Sequence, residues 1–318
     1  MSEPGPIVPT VLNSQLSAEL QSEVDFFLKW GYLVIDNALT EEQLDILRIT
    51  LDETHEKVDK EKQSLDEVRS DSHFIGELLE QDERFGFLID HPPVIERIKA
   101  ILGNCVQLHS ATSRVTKPGA TDQDWHRDGP WPVDPRGTPY GSLPGQINCG
   151  YFLDELTMEN GPIVIVPGSQ RALFRPPEGH PTFPDQKFVL AKPRQAVFFD
   201  GWLYHRGSAN NSQQERRVCL MCYQNAWMKS REPFNGPRVT KLREEGSPER
   251  KLLLIAHQDQ GQEDHHRRQR CHRRPASRCR LPLLLAAACR RSPLLRLART
   301  SVANSQPCPH RDPIPGAT

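Results

Sequence analysis

At residue 105 the chain changes from one kind of pattern to another, and this change limits its fold more than any other feature of the sequence. Beyond it the apolar residues come in short strand-like runs: Val106 to Val115, Gln146 to Leu153, Ile163 to Val166, Ala196 to Phe199 and Arg217 to Tyr223. Turn residues separate them, among them Asn160-Gly161, a strong hairpin signal, and Pro167-Gly168-Ser169. Short strands at regular spacing argue for a sandwich or jelly roll and against a parallel sheet. The Pro- and Gly-rich stretches 129–145 and 175–185 are then long surface loops, which in a compact domain usually carry function.

Before residue 105 the period is helical. Leu16, Leu20, Val24 and Phe27/Leu28 recur at helical spacing and stop at Gly31, a glycine cap; Tyr32 to Ile35 then reads as a short buried strand. Thr40 with Gln43 makes a capping box for a helix whose apolar face is Leu44, Leu47 and Leu51. Residues 55–72 are charged and nearly free of large apolar groups, as an exposed helix end or a mobile loop would be. His91-Pro92-Pro93 opens another helix, with Val94, Ile95, Ile98, Ile101 and Leu102 on its buried face and Gly103 as its stop.

The formal charge of -1 conceals an asymmetry. From His265 onward there are twelve Arg, no Lys, no aromatic residue and a single acid, Asp312, so the body must be acidic for the total to balance. Such a tail cannot easily close a core. It reads as a basic nucleic-acid-binding tail, a Cys/His zinc tract, or a shifted reading frame or retained intron. The abrupt joint loss of Lys and aromatics favours the last, and no nucleic-acid partner is expected. The expected organisation is a flexible arm over residues 1–15, one domain over 16–262 and a low-order Arg/Pro/Cys-rich tail over 263–318. Within the domain the helical part reaches about residue 104 and the jelly-roll core about 105–230.

No apolar run is long enough for a membrane span, and Met1 to Pro6 has neither a basic segment nor an apolar core, so a soluble cytoplasmic protein is expected. Eight Cys are too few for a disulfide scaffold. Cys219-x-x-Cys222 has the spacing of a redox or zinc pair, but in a strand residues three apart face opposite sides.

The stretch Trp125-His126-Arg127-Asp128-Gly129 holds a His-x-Asp pair. In an extended segment His126 and Asp128 share one face and Trp125 and Arg127 point away. An imidazole and a carboxylate suit divalent iron, and a second histidine would complete a facial triad with open positions. His180 and His205 lie downstream. His205 follows a strand and a turn, whereas His180 sits in a Pro-rich loop with little to hold it. Taken alone, each of these residues reads more readily as a turn or hydrogen-bonding residue than as a ligand.

In combination they resemble the phytanoyl-CoA dioxygenase family of Fe(II)- and 2-oxoglutarate-dependent oxygenases. The resemblance is carried by His126-x-Asp128, then Glu159-Asn160-Gly161-Pro162 leading to Pro167-Gly168-Ser169, then His205 and Arg216. Upstream, Phe26 to Val34 followed by Leu39-Thr40 resembles the family's first helix and strand, and the likeness covers roughly residues 20–230. It implies a mainly β fold with flanking helices (α+β), built on a double-stranded β-helix, a cupin-like jelly roll. It also implies Fe(II) on His126, Asp128 and His205, and the distal carboxylate of 2-oxoglutarate on Arg216. Gln123 resembles a glutamine that helps seat 2-oxoglutarate, and Ser113 occupies a strand position near the cosubstrate. Two departures stand out: Gly150 where many members carry Trp, and Gly207 where many carry Ser.

The implied activity is hydroxylation of a C-H bond in a small molecule, such as an acyl thioester, an amino-acid derivative or a natural product. It would consume 2-oxoglutarate and O2, with ascorbate as a reductant. Asp128 argues against halogenation, which needs the carboxylate's place on iron. Trp125, Trp131, Tyr140 and Trp202, with Arg127 and Arg206, are candidates to line the entrance. The rival is a non-catalytic barrel, a binding or regulatory protein that retains the metal. Oligomeric state is left open.

Overall fold

The computed structural model describes residues 16–63, 72–128, 144–172, 175–179 and 181–256. The expected arm and tail, together with Trp131, Tyr140 and His180, lie outside the described residues. In chain order the elements are α1 (Ala18–Trp30), β1 (Tyr32–Ile35), α2 (Glu41–Gln63), β2 (Ser72–Ile75), α3 (Leu78–Gln81), a 3-10 turn (Glu83–Leu88) and α4 (Pro92–Leu102). They continue with β3 (Val106–Thr116), β4 (Gln146–Phe152), β5 (Ile163–Val166), β6 (Lys187–Val189), β7 (Ala196–Asp200), β8 (Tyr204–Gly207), β9 (Arg216–Asn225), α5 (Pro237–Glu244) and α6 (Pro248–Leu253).

Local chemistry sets the helix ends. Ser17 Oγ accepts from Leu20 N at 3.2 Å at the start of α1, and Gly31 ends that helix at φ 77°, in the left-handed region that glycine tolerates. Both arms of the Thr40/Gln43 capping box form: Gln43 N donates to Thr40 Oγ1 at 3.1 Å, and Thr40 N donates to Gln43 Oε1 at 2.9 Å. Helix α2 runs on to Gln63, through much of the charged stretch read as a helix end or loop, and carries the buried His55.

The strands form two antiparallel sheets, one of six strands in the order β1-β7-β4-β9-β3-β2 and one of three in the order β6-β5-β8. Their inner faces meet through Phe152, Val197, Phe199 and Val218 of the large sheet and Ile163, Ile165 and Val189 of the small one. This is the double-stranded β-helix arrangement. The outer face of the large sheet, including Leu108, Ile147, Tyr151, Phe198 and Met221, packs against helix residues such as Leu47, Leu51, Ile98 and Leu88. Each such fully buried aliphatic side chain stabilises the fold by about 1.5–3 kcal/mol relative to exposure. Strand β4 is buried at every position because both of its faces are covered.

Asn160-Gly161 is a turn, with Gly161 at φ 78°, but it does not make a hairpin. The strands on either side of it lie in different sheets: β4 pairs with β7 and β9, and β5 pairs with β6 and β8. A Cβ on Gly161 would lie 2.9 Å from the Ser208 carbonyl, so glycine lets the chain pass close to β8 as it changes sheets. Cys219 belongs to the helix-side core and Cys222 to the cavity wall, on opposite faces as strand alternation requires.

Candidate functional site

A cavity of about 250 Å³ lies between the sheets. Residues 123–128 form its edge by running extended beside β8. His126 and His205 exchange backbone hydrogen bonds at 3.0 and 3.1 Å, Gln123 N donates to Gly207 O at 2.9 Å, and Asp128 N donates to Gly201 O at 2.8 Å. Alternation then turns His126 and Asp128 inward beside His205. One ligand-capable atom from each of the three lies within 4.8 Å of the others. They are the one such group of metal-ligating side chains found among the described residues.

The surroundings prepare these atoms for a cation. His126 Nδ1 lies 2.8 Å from Asp124 O and His205 Nδ1 lies 2.9 Å from Leu203 O. Each Nδ1 can only donate to a carbonyl, which leaves both Nε2 atoms facing Asp128 across the shared space, at 3.9 Å from His126 and 3.3 Å from His205. Asn148 Nδ2 donates to Asp128 Oδ2 at 3.0 Å. Burial raises the Asp128 carboxyl, but the two histidines beside it outweigh burial and hold it well below the usual carboxylate range. His126 is pushed down by burial and by His205, so it favours the neutral form that binds a metal. Burial also pushes His205 down, but the charge and hydrogen bond of Asp128 leave it raised.

Arg216 opens β9 and faces the cavity together with Val218, Leu220 and Cys222. Its side chain is buried and makes no hydrogen bond among the described residues, with Nε fully enclosed and unpartnered. Burial, with Arg114 nearby, lowers it to about 10. A buried guanidinium fork without a carboxylate suits a carboxylate-bearing ligand. Arg217, one residue on, turns outward onto Asp154 at 2.7 Å and Asp52 at 2.8 Å.

Gln123 lines the cavity, and its Oε1 accepts from Gly207 N at 2.9 Å. The two glycine departures are explained by what stands next to them. A Cβ on Gly207 would lie 3.0 Å from Gln123 Oε1, so the carboxamide takes that space. A Cβ on Gly150 would lie 3.1 Å from the Phe152 ring, which instead sits 5.5 Å from the Arg216 guanidinium.

Other expected site residues fall elsewhere. Ser113 is fully buried on the far face of β3, 3.2 Å from His55 Nε2, and does not reach the cavity; Thr112 and Arg114 do. Trp125 and Arg127 are packed away from the entrance. Trp125 Nε1 donates to Pro181 O at 2.9 Å, and Arg127 Nη2 donates to Ala172 O at 2.8 Å while its guanidinium lies over Tyr204. Trp202 is not part of the cavity wall, whereas Arg206 is, held by an ion pair with Asp122. Asn148, His109, Arg114 and Arg231 also line the cavity and were not singled out from the sequence. The signal for Asn148 was present: it is a polar residue at alternating spacing from Gln146 in an otherwise apolar strand.

Residues 27–218 match the family model for phytanoyl-CoA dioxygenase (PhyH). The chain belongs to the phytanoyl-CoA dioxygenase family. Dioxygenase af480 of Aspergillus fumigatus is 25% identical over 193 residues, covering 57% of this chain and 58% of that protein. Dioxygenase hkm4 of Aspergillus hancockii is 34% identical over 104 residues, covering 32% of this chain and 33% of its own. The chain thus spans about half or less of the length of these curated relatives. Among solved structures, HygX from Streptomyces hygroscopicus with nickel and 2-oxoglutarate bound shares the fold at TM-score 0.53 and 15% identity, covering 68% of this chain and 89% of HygX. SnoK, a non-heme alpha ketoglutarate dependent carbocyclase from nogalamycin biosynthesis, does so at TM-score 0.52 and 21% identity, covering 67% and 85%. No helix among the described residues of this family member is long and apolar enough to cross a membrane.

Proposed function

We propose that the protein is an Fe(II)- and 2-oxoglutarate-dependent dioxygenase that hydroxylates a C-H bond of a small molecule. The observation that carries this reading is the convergence of His126, Asp128 and His205 in one cavity with a buried Arg216 that has no carboxylate partner among the described residues. His126, Asp128 and His205 would hold the iron, leaving positions open for cosubstrate and oxygen. When bound, iron, 2-oxoglutarate and O2 supply the oxidising power, with succinate and CO2 as co-products.

The chain's own residues position and protect that chemistry. Asp124 O and Leu203 O fix the imidazole tautomers, and Asn148 steadies Asp128. Arg216 takes the distal carboxylate of 2-oxoglutarate, with Gln123 beside it. Phe199 packs against the His205 ring at 4.7 Å, and with Phe152, Ile163, Val218 and Leu220 it makes the apolar wall that keeps water from the metal side. HygX has also been crystallised with hygromycin B, a small molecule, which accords with a small-molecule substrate here.

The test is anaerobic loading with Fe(II), followed by oxygen, 2-oxoglutarate and ascorbate, with succinate as the readout. Uncoupled succinate formation is expected without the true substrate. No succinate, together with no 2-oxoglutarate binding by calorimetry, would favour a non-catalytic binding protein.

A further inference from the structure

The cavity has two ends, and Arg216 accounts for only one of them. Arg216 and Cys222 face it from the same strand six residues apart, so they stand about 20 Å from each other along β9. Gly207 and Gln123 belong to the Arg216 end: a Cβ on Gly207 would lie 3.7 Å from Arg216 Nη2. Arg114 belongs to that end too, two residues from Thr116, the residue paired with Arg216. At the other end, Cys222 is paired with Ser110 on one side and with Asn148, the partner of Asp128, on the other. The metal-binding group therefore adjoins this second end, and a five-carbon cosubstrate reaching from Arg216 to the metal leaves it open.

What fills this end is basic and polar. The register of β3 against β9 slips between Leu108 and Ser110, and this bulge turns both His109 and Ser110 into the cavity. The carbonyl of His109 accepts from Arg231 N at 3.0 Å and Glu232 N at 3.2 Å, and Glu232 is locked to β3 by the Ala111 N–H at 2.8 Å. The bulge thus clamps Arg231 beside His109. Arg231 is exposed at the mouth, and its side chain makes no hydrogen bond or ion pair among the described residues. His109 lines the cavity, with its Nδ1 enclosed and Gln224 beside the ring. Burial and the charge of Arg231 push His109 down to about 4, so it is a neutral donor or acceptor beside a cation. Asp128, a metal ligand in the dioxygenase reading, is the one acid on the described cavity wall, and Glu232, which also feels the Arg231 charge, is turned to the Glu77 and Ala111 N–H groups.

We propose that Arg231 and His109 form a subsite for a carboxylate on the substrate, so that the substrate is a small organic acid anchored at the mouth with its carbon chain directed at the metal. The subsite deepens the dioxygenase reading and rests on it for the word substrate. Two oxygens of a planar carboxylate match the guanidinium fork of Arg231 together with the Nε2 edge of the His109 ring, Nδ1 being enclosed.

The test uses hexanoate and methyl hexanoate as probes, titrated by calorimetry into anaerobic, Fe(II)-loaded protein saturated with 2-oxoglutarate. Hexanoate should bind, and the ester should bind at least about tenfold more weakly. Arg231→Met should weaken hexanoate by a similar factor, and Arg231→Lys should recover part of it, which a purely structural arginine would not require. No saturable hexanoate binding, equal binding of acid and ester to the wild-type protein, or equal affinity in a folded Arg231→Met protein would each overturn the subsite. Binding of 2-oxoglutarate to the wild-type protein, measured first, reports on the dioxygenase reading separately. Its failure would strike that reading, while hexanoate binding and its dependence on Arg231 would still decide the subsite.

Discussion

The two faces of the six-stranded sheet are made by the same strands and carry opposite chemistry. On β9, Cys219, Met221 and Tyr223 go to the helices, while Arg216, Val218, Leu220 and Cys222 go to the cavity. The polar tips on the helix side are satisfied within the chain: Tyr223 OH donates to Leu88 O at 2.9 Å, and Tyr151 OH meets His91 Nδ1 at 3.1 Å. On the cavity side, the buried Arg216 Nε has no hydrogen-bond partner among the described residues. An orphaned buried polar group costs roughly 1–3 kcal/mol, a cost that a ligand would remove. The helix face is complete as folded, and the cavity face is completed by what it binds.

The largest effect should come from the cavity face. Asp128→Ala removes the carboxylate of the ligand set, so Fe(II) binding and succinate formation should be lost while the metal-free protein keeps its melting temperature. Succinate formation at a rate near wild type would break the assignment of the site. The matching change on the helix face is Met221→Ala. Met221 is fully buried, and its truncation should cost about 2–5 kcal/mol in urea denaturation with the 2-oxoglutarate KM unmoved. A shifted KM with intact stability would show that the two faces are not separable.

Adjacent arginines sharpen the comparison further. Arg216→Ala loses two charge-assisted hydrogen bonds to the cosubstrate, roughly 1.5–3 kcal/mol each, and should raise the 2-oxoglutarate KM at least about tenfold. Arg217→Ala should lower stability through its bonds to Asp154 and Asp52 and leave that KM alone. Similar KM values for the two variants would sink the assignment of Arg216.

How much of this was legible in the sequence depends on whether a signal is local. Alternation along β9 separated Arg216 from Arg217 and Cys219 from Cys222, because an unbroken strand keeps its phase. The caps at Gly31 and Thr40/Gln43 were legible for the same reason. Ser113, placed near the cosubstrate by the resemblance, faces away from it because of the bulge at Leu108/Ser110. One extra residue reverses the phase of everything after it, so Ser110, Thr112 and Arg114 face the cavity and Ser113 does not. Asn160-Gly161 announced a turn correctly, but which strands pair across it is a long-range matter. Strands β2, β6 and β8 have three or four residues each and lack the unbroken apolar run that marks the equally short β1 and β5. Arg231 and His109 are brought together by a backbone clamp that no spacing records.

One residue breaks the rule for the helix-facing side, and it provides the finest test. Asp200 pairs with Ile147 and follows Phe198 by two positions, so alternation puts it on the apolar face. Burial raises its carboxyl to about 7, against the Trp202 N–H and the charge of Arg127, which pull it down. In the unfolded chain the same group titrates near 3.9. The folded state therefore holds a proton that the unfolded state has released, and stability is lost as pH rises from about 4 to about 7. Asn at this position has no charge to bury and keeps an oxygen for the Trp202 N–H, now accepted at 2.9 Å. Asp200→Asn should match wild type near pH 4 and exceed it at pH 8 by on the order of 1 kcal/mol or more. A variant less stable than wild type at pH 8 would mean that Arg127 keeps Asp200 ionised, and that this corner of the helix face is held by charge.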